Sequence, residues 1–410
     1  MQEANIDFHI HSKYSGGCSR DMDIPSLAKG CEGKGLDVIG TGDATNPNWI
    51  AHIKETLVPD NDSGVYSYGD SPTRFLITAE VEDDRRVHHL LLFPELSSAI
   101  DFRERIKKDS KDIDTEGRPH LRLSGEQIAE LANECGALIG PCHAFTPWTS
   151  VYKAHDSLKD CYGEALKHIS FLELGLSADC DMADTITELK DLTFLSNSDA
   201  HSPHPHRIGR EFNRLKIDDL SFDEIKKAIL REGGRKIILN VGLDPREGKY
   251  HETACTRCYL KFHPKDAQQM KRRCPECGGI IKKGVVERVF ELSGGNETKH
   301  PSYRPPYIKT VPLAECLGMA IGVKTLTSLK VQSAWNELTQ KLGNESEILL
   351  NVPLTKISES NKKLAEIIEE FRTGKIKYIS GGGGMYGHPV FGREANDNYY
   401  DVSQKTLSSF

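Results

Sequence analysis

With 410 residues the chain is too long for one ordinary hydrophobic core, so we expect two or three domains. Its content of 38% hydrophobic and 28% charged residues excludes an intrinsically disordered chain, and no apolar run approaches the roughly 20 residues that a membrane span requires. The formal net charge of −7 argues against a general affinity for nucleic acid, and the acidic start leads straight into a strand-like pattern, unlike a signal peptide. We therefore expect a cytoplasmic protein.

Residues 1–245 alternate strand-like and helix-like patterns. Six or seven β–α repeats predict a parallel sheet, and closure into a barrel is favoured over a doubly wound open sheet. Ser124 and Gln127 form the capping-box pattern of a helix that ends near Cys135. Further helices are predicted from Pro25, around Trp49 and from Phe222, and the predicted strands are Ile6–His11, Leu36–Thr41, Phe75–Glu80, Val87–Phe93, Ala137–Cys142, Ile169–Leu174, Leu192–Asn197 and Lys236–Val241.

Residues 246–284 differ from the rest because they are rich in cysteine and in basic side chains. Residues 251–310 contain 12 Lys and Arg against 6 Asp and Glu, a local excess that suits binding of a polyanion. A new pattern begins at Val285, with a predicted strand at Val285–Leu292 and helical regions at Leu313–Leu329 and Asn361–Thr373. We therefore expect three domains, at residues 1–245, 246–284 and 285–410, the last of them α+β.

Ionisable residues lie near the ends of the predicted barrel strands. His9 and His11 end the first strand with both imidazoles on one side, because side chains alternate along a strand. His88 and His89 point to opposite faces of another strand, so only one of them can lie beside His9 and His11. We predict that this residue is His89. The carboxyl ends of parallel barrel strands meet on one face. The other residues expected there are Asp43, Glu80, His143, Glu173, Asp199 and His201.

This ordered set indicates a metal centre, although any one of its histidines alone would more often be a core residue. Imidazoles with carboxylates suit Zn²⁺, Mn²⁺ or Fe²⁺, and so many donors predict two or three divalent ions, with Mg²⁺ as a further candidate. Such ions activate water and offset charge on a phosphate. We predict a metal-dependent phosphoesterase with His9, His11, Asp199 and His201 as catalytic residues. His201 and His206 are candidates for protonating the leaving group where they are not metal ligands.

Four of the eleven cysteines form the pattern Cys255-x-x-Cys258 followed by Cys274-x-x-Cys277. This spacing predicts a structural zinc ribbon, because four thiolates complete a closed tetrahedral site. The other cysteines, such as Cys135 and Cys316, are expected to be core thiols. Tyr259 and Phe262 either stack on bases or pack the small core of the ribbon. Basic side chains that can meet phosphates surround the ribbon: Arg257, Lys261, Lys265, Lys271, Arg272 and Arg273.

Two segments of the C-terminal part leave alternatives open. The segment His300–Tyr307 interleaves rings with a cation, as a surface for stacking single-stranded nucleic acid would, and a Pro-rich loop packed on the domain explains it equally well. The segment Gly381–Gly384 either lets backbone N–H groups approach a ligand closely or forms a flexible linker.

The barrel motifs resemble those of the PHP (polymerase and histidinol phosphatase) superfamily over roughly the first 240 residues. This resemblance implies a distorted (β/α)₇ barrel with a trinuclear metal centre that hydrolyses phosphoesters. The superfamily commonly has His after the Asp of its second motif, and this chain has Ala44 there, so the third metal site lacks a common ligand. The matching motifs are DFHIHS (Asp7–Ser12), GTGDA (Gly40–Ala44), TAEVE (Thr78–Glu82), HHLLL (His88–Leu92), CHAF (Cys142–Phe145) and NSDAH (Asn197–His201).

The whole chain resembles the endonuclease Q family. The ribbon, RPPY (Arg304–Tyr307), GGGGMYG (Gly381–Gly387) and SDAHSPHPHRIGREFN (Ser198–Asn213) carry this resemblance. It implies nicking of DNA on the 5′ side of deaminated bases (uracil, hypoxanthine, xanthine) and of abasic sites. A replication clamp or other repair proteins are additional partners that it leaves open. The alternatives are a small-molecule phosphatase of the histidinol-phosphate type, which needs no basic ribbon, and a nucleic-acid-binding module with a degenerate barrel.

A deaminated base must leave the helix to be read, because its pairing edge is occupied inside the duplex. The backbone of Gly381–Gly384 is one candidate for the edge that reads the everted base. Stacking on Phe145, Trp148 or Tyr152, which follow His143, is the other.

Overall fold

The computed structural model describes residues 1–391 and residue 399. Twelve strands lie in its first 242 residues. They are β1 (Gln2–Asp7), β2 (Val38–Gly40), β3 (Val58–Pro59), β4 (Val65–Ser67), β5 (Arg74–Leu76), β6 (Thr78–Glu82), β7 (His88–Leu92), β8 (Leu138–Pro141), β9 (Phe171–Glu173), β10 (Thr193–Leu195), β11 (Phe212–Ile217) and β12 (Lys236–Gly242). Six of them (β2, β7, β8, β9, β10 and β12) coincide with predicted strands to within two residues. The first strand ends four residues before the predicted end at His11, the predicted Phe75–Glu80 is divided between β5 and β6, and β3, β4 and β11 were not predicted.

Seven of the strand positions close into a distorted barrel. β1 pairs in parallel with β2, β2 with β5, and β5 continues directly into β6. A parallel bridge from Ile139 to Ile169 joins β8 to β9, β9 pairs with β10, and a bridge from Ala200 to Ile10 returns to the first strand. The distortion lies at β7, which is antiparallel to both β6 and β8. The sheet is therefore not wholly parallel, and the start of β7 lies at the same end of the barrel as the end of β6.

Helices cover the outside of the barrel. Ser124 accepts a hydrogen bond from the backbone of Gln127 and receives the reciprocal bond from its side chain, which confirms the predicted capping box. Asp23 caps the first helix in a similar way. The helices of this part are α1 (Ile24–Lys34), α2 (Pro47–Thr56), α3 (Leu96–Ile106), α4 (Gly125–Glu134), α5 (Val151–Ala154), α6 (Leu158–Tyr162), α7 (Cys180–Ala183) and α8 (Phe222–Leu230).

The barrel is a packed core and not a channel. Phe8, Phe171 and Leu195 are fully buried and belong to one apolar cluster that also contains side chains of β2, β5, β7, β8 and α8. A second cluster joins the strands to the surrounding helices. Because side chains fill the interior, polar residues that must be accessible are restricted to the ends of the strands.

A small cysteine-bearing unit follows the barrel. It consists of β13 (Ala254–Cys255), α9 (Pro264–Gln269) and β14 (Ile281–Lys282), with β13 and β14 antiparallel. Its core contains only Cys255, Phe262, Ala267, Cys274 and Ile281, together with a few half-buried neighbours. A core this small does not stabilise a fold by itself, and a metal held by the four cysteines would supply the missing stability.

The next segment corrects one prediction. Residues 285–293 form a helix, α10 (Val285–Ser293), and not a strand. Val285 and Val289 lie one helical turn apart and pack into the barrel core, which outweighs the β preference of their branched side chains. After it, β15 (Tyr307–Lys309) pairs in parallel with β12 of the barrel sheet. The packing of residues 285–309 thus favours a domain boundary near residue 310, not at the predicted 284/285.

The C-terminal part has a separate core, which begins at Val311. Its residues from 392 to 398 and from 400 to the predicted domain end at 410 lie outside the described residues. No helix in the described part of the chain has the length and apolarity needed to cross a bilayer. The elements here are α11 (Leu313–Ile321), α12 (Leu329–Leu342), α13 (Glu345–Leu350), α14 (Leu354–Ser360), α15 (Lys362–Arg372), β16 (Lys377–Ile379) and β17 (His388–Val390).

Candidate active site

The two histidines that follow β1 point into a shared buried space. The residues His9 and His11 are 1% and 0% exposed, and their ring centroids lie 5.3 Å apart. Neither Nε2 atom forms a hydrogen bond of acceptable geometry, although both atoms are buried. Buried polar atoms are nearly always satisfied, so two imidazole nitrogens left in this way indicate a place for metal ions.

Glu80 lies at the centre of the cluster, in β6. Its Oε2 is 3.2 Å from Nε2 of His11, and its Oε1 is 3.6 Å from Nε2 of His9. On the other side, Oε1 is 2.9 Å from Nδ1 of His88 and 3.2 Å from Nε2 of His143. A carboxylate shared by two pairs of histidines is an arrangement that can bridge two metal ions.

Asp199 and His201 close the cluster toward solvent. Oδ1 of Asp199 is 3.3 Å from Nε2 of His11 and 3.7 Å from Nδ1 of His201. The side chains of Asp199 and His201 are 29% and 36% exposed, whereas Glu80 is buried. These two residues and His11 form a third group of donors. A substrate therefore reaches the cluster from the side of Asp199 and His201.

Three residues of the site have left-handed backbone conformations, which side chains other than glycine rarely adopt. The φ angles are 49° at Asp43, 29° at His143 and 47° at Asp199. Each residue follows a barrel strand, at the point where the chain turns and directs its side chain into the site. Strain of this kind costs about 1–3 kcal/mol per residue and persists where the surrounding structure enforces it, which is common at functional sites.

Asp43 and Glu173 orient histidines of the cluster. Asp43 is 3.0 Å from Nδ1 of His11 and accepts hydrogen bonds from Ser12 and Ser15. Glu173 is 2.9 Å from Nδ1 of His9 and accepts a hydrogen bond from the backbone of His143. A proton held on Nδ1 leaves Nε2 free to bind metal. The geometry favours this orienting role, and direct metal ligation by the two carboxylates stays a prediction.

The structure does not bring His89 to the cluster. Its Nδ1 is 2.9 Å from the Tyr162 hydroxyl and its Nε2 is 3.2 Å from Asp83, on the helix side of β7. His88 takes the place in the cluster instead and also contacts Glu82 at 2.9 Å. The choice of His89 over His88 is therefore corrected. The sequence showed that the two point to opposite faces, but not which face carries the site.

The carboxylates of the cluster stay ionised despite their burial. Burial by itself would raise the pKa of Glu80, but His88 and Arg118 outweigh it and hold that pKa well below its usual range. Burial would likewise raise the pKa of Asp199, and the adjacent His11 and His9 lower it. Burial opposes protonation of His9, yet the charges of Glu173 and Glu80 raise its pKa well above the usual value. The ionised carboxylates supply negative charge that suits the binding of divalent cations.

The donor set fits divalent metal ions. Three overlapping groups lie with their donor atoms within 4.8 Å of one another: His9, His11 and Glu80; Glu80, His88 and His143; and His11, Asp199 and His201. A fourth group, of His9, Cys142 and Glu173, shares His9 with the first. Ala44 is fully buried in the barrel core and contributes no donor, yet the third group is complete without it. Mixed imidazole and carboxylate donors at three overlapping positions suit two or three ions of the Zn²⁺ or Mn²⁺ type.

Arg118 also contacts the cluster, although no motif in the sequence points to it. Its Nη1 donates to Oε2 of Glu80 at 3.1 Å. It lies in a long connection between α3 and α4 without any recognisable motif, so only the three-dimensional structure reveals it.

The four cysteines of the ribbon come together as predicted. Sγ of Cys255 is 3.4 Å from that of Cys277, and Sγ of Cys258 is 3.7 Å from that of Cys274. Burial would raise the pKa of Cys255, but backbone N–H groups of Cys258 and Arg257 lower it to about 7. A stabilised thiolate in a group of four is suited to a tetrahedral Zn²⁺.

The rings and cations of the ribbon have different environments. Phe262 is 1% exposed and packs the core, whereas Tyr259 is 41% exposed and is free to meet a ligand. Arg272 is paired with Glu287, so its charge serves to hold the ribbon on α10. Phosphate contacts are thus to be sought among the other basic residues.

Replacing Cys277 by serine should release one equivalent of zinc, because the binding energy of the metal is the folding energy of so small a unit. DNA affinity should fall while the barrel stays folded, since its core is separate. Zinc content by mass spectrometry, DNA binding by fluorescence anisotropy and a thermal melt check this. The matched control is Cys135→Ser, because Cys135 is a buried cysteine of the barrel, directly after α4. This variant should keep the zinc. Unchanged zinc and affinity in Cys277→Ser would contradict a zinc ribbon.

The structure matches the crystal structure of the lesion-specific endonuclease PfuEndoQ from Pyrococcus furiosus with a TM-score of 0.90. The two share 47% sequence identity, and the match covers 99% of each chain. The chain belongs to the endonuclease Q family. A second structure, of endonuclease Q in complex with a 27-mer duplex substrate that has an abasic lesion at the active site, matches with a TM-score of 0.89 and 47% identity over 98% of this chain and 100% of the other.

Relatives of this endonuclease Q chain occur in other organisms. YqxK of Bacillus subtilis is 32% identical over 410 residues, covering 94% of this chain and 99% of that protein. MJ0043 of Methanocaldococcus jannaschii is 53% identical over 254 residues, which are 61% of this chain and 31% of that protein. This chain thus spans less than a third of the length of MJ0043. The family model of the MJ0043 C-terminal domain matches residues 312–375, which coincide with the core that begins at Val311.

In this member of the endonuclease Q family, the segment His300–Tyr307 packs on the barrel. Arg304 is 9% exposed, donates from Nη2 to Asp184 at 2.8 Å, and lies 3.3 Å from the centre of the Phe194 ring. A buried arginine bonded in this way is not available to DNA. The structure therefore favours the packed loop over the stacking surface.

The Gly381–Gly384 segment of this endonuclease Q chain is packed against the start of the ribbon. The N–H groups of Gly381, Gly382 and Gly384 already donate to backbone carbonyls, and a Cβ on Gly383 would lie 2.2 Å from the carbonyl oxygen of Cys255. The glycines permit close packing. Their backbone is therefore not a free edge for reading a base, and only the tip that follows, Met385 and Tyr386, is exposed.

Of the three aromatic residues after His143, one is accessible. Phe145 and Tyr152 are buried and stack on each other with ring centroids 5.3 Å apart. Trp148 is 57% exposed, and Lys282 of the ribbon lies 4.4 Å from the centre of its ring. Trp148 is therefore the residue of this group that is free to stack on a nucleobase.

Proposed function

We propose that this chain is a metal-dependent DNA endonuclease that nicks the phosphodiester 5′ to deaminated bases (uracil, hypoxanthine, xanthine) and abasic sites. The observation that carries the proposal is the likeness to endonuclease Q over 99% of both chains, one structure of which contains a duplex with an abasic lesion at the active site. The cluster around Glu80 suits this chemistry because divalent ions held there would activate water and offset charge on the phosphate.

Seven residues would hold the ions of the barrel. Bound ions supply Lewis-acid activation of water and of the phosphoryl oxygens. Asp43 and Glu173 keep the imidazoles of His11 and His9 in the ligating orientation. We propose two or three ions, Mn²⁺, Zn²⁺ or Mg²⁺, in the barrel and one structural Zn²⁺ in the ribbon. The seven residues are His9, His11, Glu80, His88, His143, Asp199 and His201.

Asp199 and His201 are the members of the cluster that face the substrate. Both are partly open to solvent and lie at the mouth, so they contact the reacting phosphate group and the attacking water first. Asp199 is ionised and can accept a hydrogen bond from that water, which orients it for attack. The more deeply buried His9 and His11 act through the ions that they would hold. These four remain the proposed catalytic residues.

The ribbon and the C-terminal domain argue against a small-molecule phosphatase. Both are part of the match to endonuclease Q, and neither is needed to hydrolyse a small phosphate ester. A binding module with a degenerate barrel is disfavoured because the donor groups around Glu80 are complete. A replication clamp or other repair proteins as partners, and a cytoplasmic location, remain predictions from the sequence.

Cleavage of DNA and of a small ester distinguishes the two enzymatic alternatives. The protein loaded with Mn²⁺ should nick an end-labelled duplex containing one abasic-site analogue, and the mapped product should end on the 5′ side of the lesion. p-Nitrophenyl phosphate should be hydrolysed at least about 100-fold less efficiently, since it lacks the remote contacts that provide binding energy in the transition state. Efficient hydrolysis of the ester with no nicking would support the phosphatase instead.

A further inference from the structure

The connection between α3 and α4 holds Arg118 at the mouth of the cluster. Gly117 donates from its backbone N–H to the Tyr14 carbonyl at 3.0 Å, and the Pro119 carbonyl accepts from Glu82 of β6 at 3.0 Å. A Cβ on Gly117 would lie 2.3 Å from Oδ2 of Asp43, so any larger residue here would displace that carboxylate. The backbone on both sides of Arg118 is thereby fixed to elements that carry the site.

The guanidinium of Arg118 lies between the cluster and solvent. Its Nη1 donates to Glu80 at 3.1 Å, its side chain is 28% exposed, and its Nε is buried without a hydrogen-bond partner. The charge of Asp199 also acts on it. Within the described part of the chain, no other Lys or Arg forms an ion pair with Glu80 or Asp199. Arg118 is thus a fixed positive charge beside the position where a phosphate would meet Asp199.

We propose that Arg118 is a catalytic residue that binds a non-bridging oxygen of the scissile phosphate. A guanidinium has five donors in a planar fork, so it can keep its bond to Glu80 and still present N–H groups to the phosphate. Negative charge on the phosphoryl oxygens must be stabilised as water attacks, and a preorganised cation provides this. This role rests on the proposed function, because it assigns one residue to the reaction of the same site.

The experiment compares Arg118→Ala, Arg118→Lys and Arg122→Ala with the unaltered protein. Arg122 is a matched control because it lies in the same connection and is exposed, with its guanidinium bonded to the Lys108 carbonyl. Three quantities are measured on Mn²⁺-loaded protein: bound metal, the single-turnover rate on an abasic duplex at saturating protein, and binding of inorganic phosphate by calorimetry.

Arg118→Ala should lower the single-turnover rate about 100-fold or more, the usual effect of removing one transition-state donor. Phosphate binding should weaken by about 10-fold or more, since a hydrogen bond to a charged group is lost. The metal content should not change. Arg118→Lys should recover part of the rate, because a point charge replaces the fork. Arg122→Ala should match the unaltered protein in all three measurements.

Two outcomes would overturn the assignment. Loss of bound metal from Arg118→Ala would show that Arg118 builds the metal site, and a rate and phosphate affinity within about threefold of the unaltered protein would show that it does not contact phosphate. The phosphate measurement separates this inference from the proposed function. If the unaltered protein does not nick DNA but Arg118→Ala still weakens phosphate binding, the proposed function fails and the assignment of Arg118 stands.

Discussion

Replacement of Asp199 or His11 by alanine should lower nicking of an abasic duplex by about 1000-fold or more. Both side chains belong to the donor group at the mouth of the cluster, which also contains His201. A reaction that depends on metal-activated water loses most of its rate enhancement when the metal is lost. DNA affinity should change by less than about threefold, because the basic side chains of the ribbon lie outside the donor groups of the barrel. Single-turnover kinetics and fluorescence anisotropy on one labelled duplex measure both effects.

The control for this pair is His168→Ala. His168 is partly exposed, precedes β9 and lies outside all three donor groups, so its removal should leave the rate unchanged. Metal analysis should show loss of at least one ion from His11→Ala. Near-normal nicking by either Asp199→Ala or His11→Ala would remove that residue from the catalytic set.

His88→Gln should lose one bound ion and about 100-fold or more in nicking rate, whereas His89→Gln should keep both metal and activity. His88 contacts Glu80 at the centre of the cluster, and His89 contacts Tyr162 and Asp83 on the helix side of the strand. The His89 variant should be less stable, with a melting temperature lower by roughly a few degrees, because it loosens a buried hydrogen-bond pair.

The two variants are neighbours in sequence and identical in chemical change, so each serves as the control for the other. The reverse result, with activity lost in His89→Gln and kept in His88→Gln, would contradict the position of β7 described above. Equal loss of metal from both variants would contradict it as well.

The sequence predicted most of the barrel because local pattern and global fold agree there. Strands such as Ala137–Cys142 are short, apolar and bounded by turns, and each resembles only a strand. The strand predicted at Val285–Leu292 was wrong. Its branched residues prefer strands, but the spacing of Val285 and Val289 also fits one face of a helix. Only packing against the barrel decided between the two.

The site was predicted as a set of residues but not in its internal roles. Strand order and direction cannot be read from one sequence, so the antiparallel β7 and the choice of His88 over His89 were invisible. The sequence around Asp43 would be the same whether this carboxylate binds metal or orients His11. Its hydrogen bonds from Ser12 and Ser15, which only the structure shows, favour the orienting role. Arg118 lies in a connection without periodicity, and long-range packing alone places it.

Cleavage of two matched duplexes that differ only in one base tests the central claim most directly. One duplex contains uracil opposite guanine and the other cytosine at the same position, and both are incubated with the Mn²⁺-loaded protein. We predict nicking on the 5′ side of uracil at a rate at least about 100-fold above that at cytosine, because an everted cytosine leaves buried polar groups of a pocket for uracil unpaired. Equal cleavage of the two duplexes would contradict the proposed lesion specificity. Absence of cleavage of both duplexes and of an abasic duplex would contradict the proposed nuclease activity.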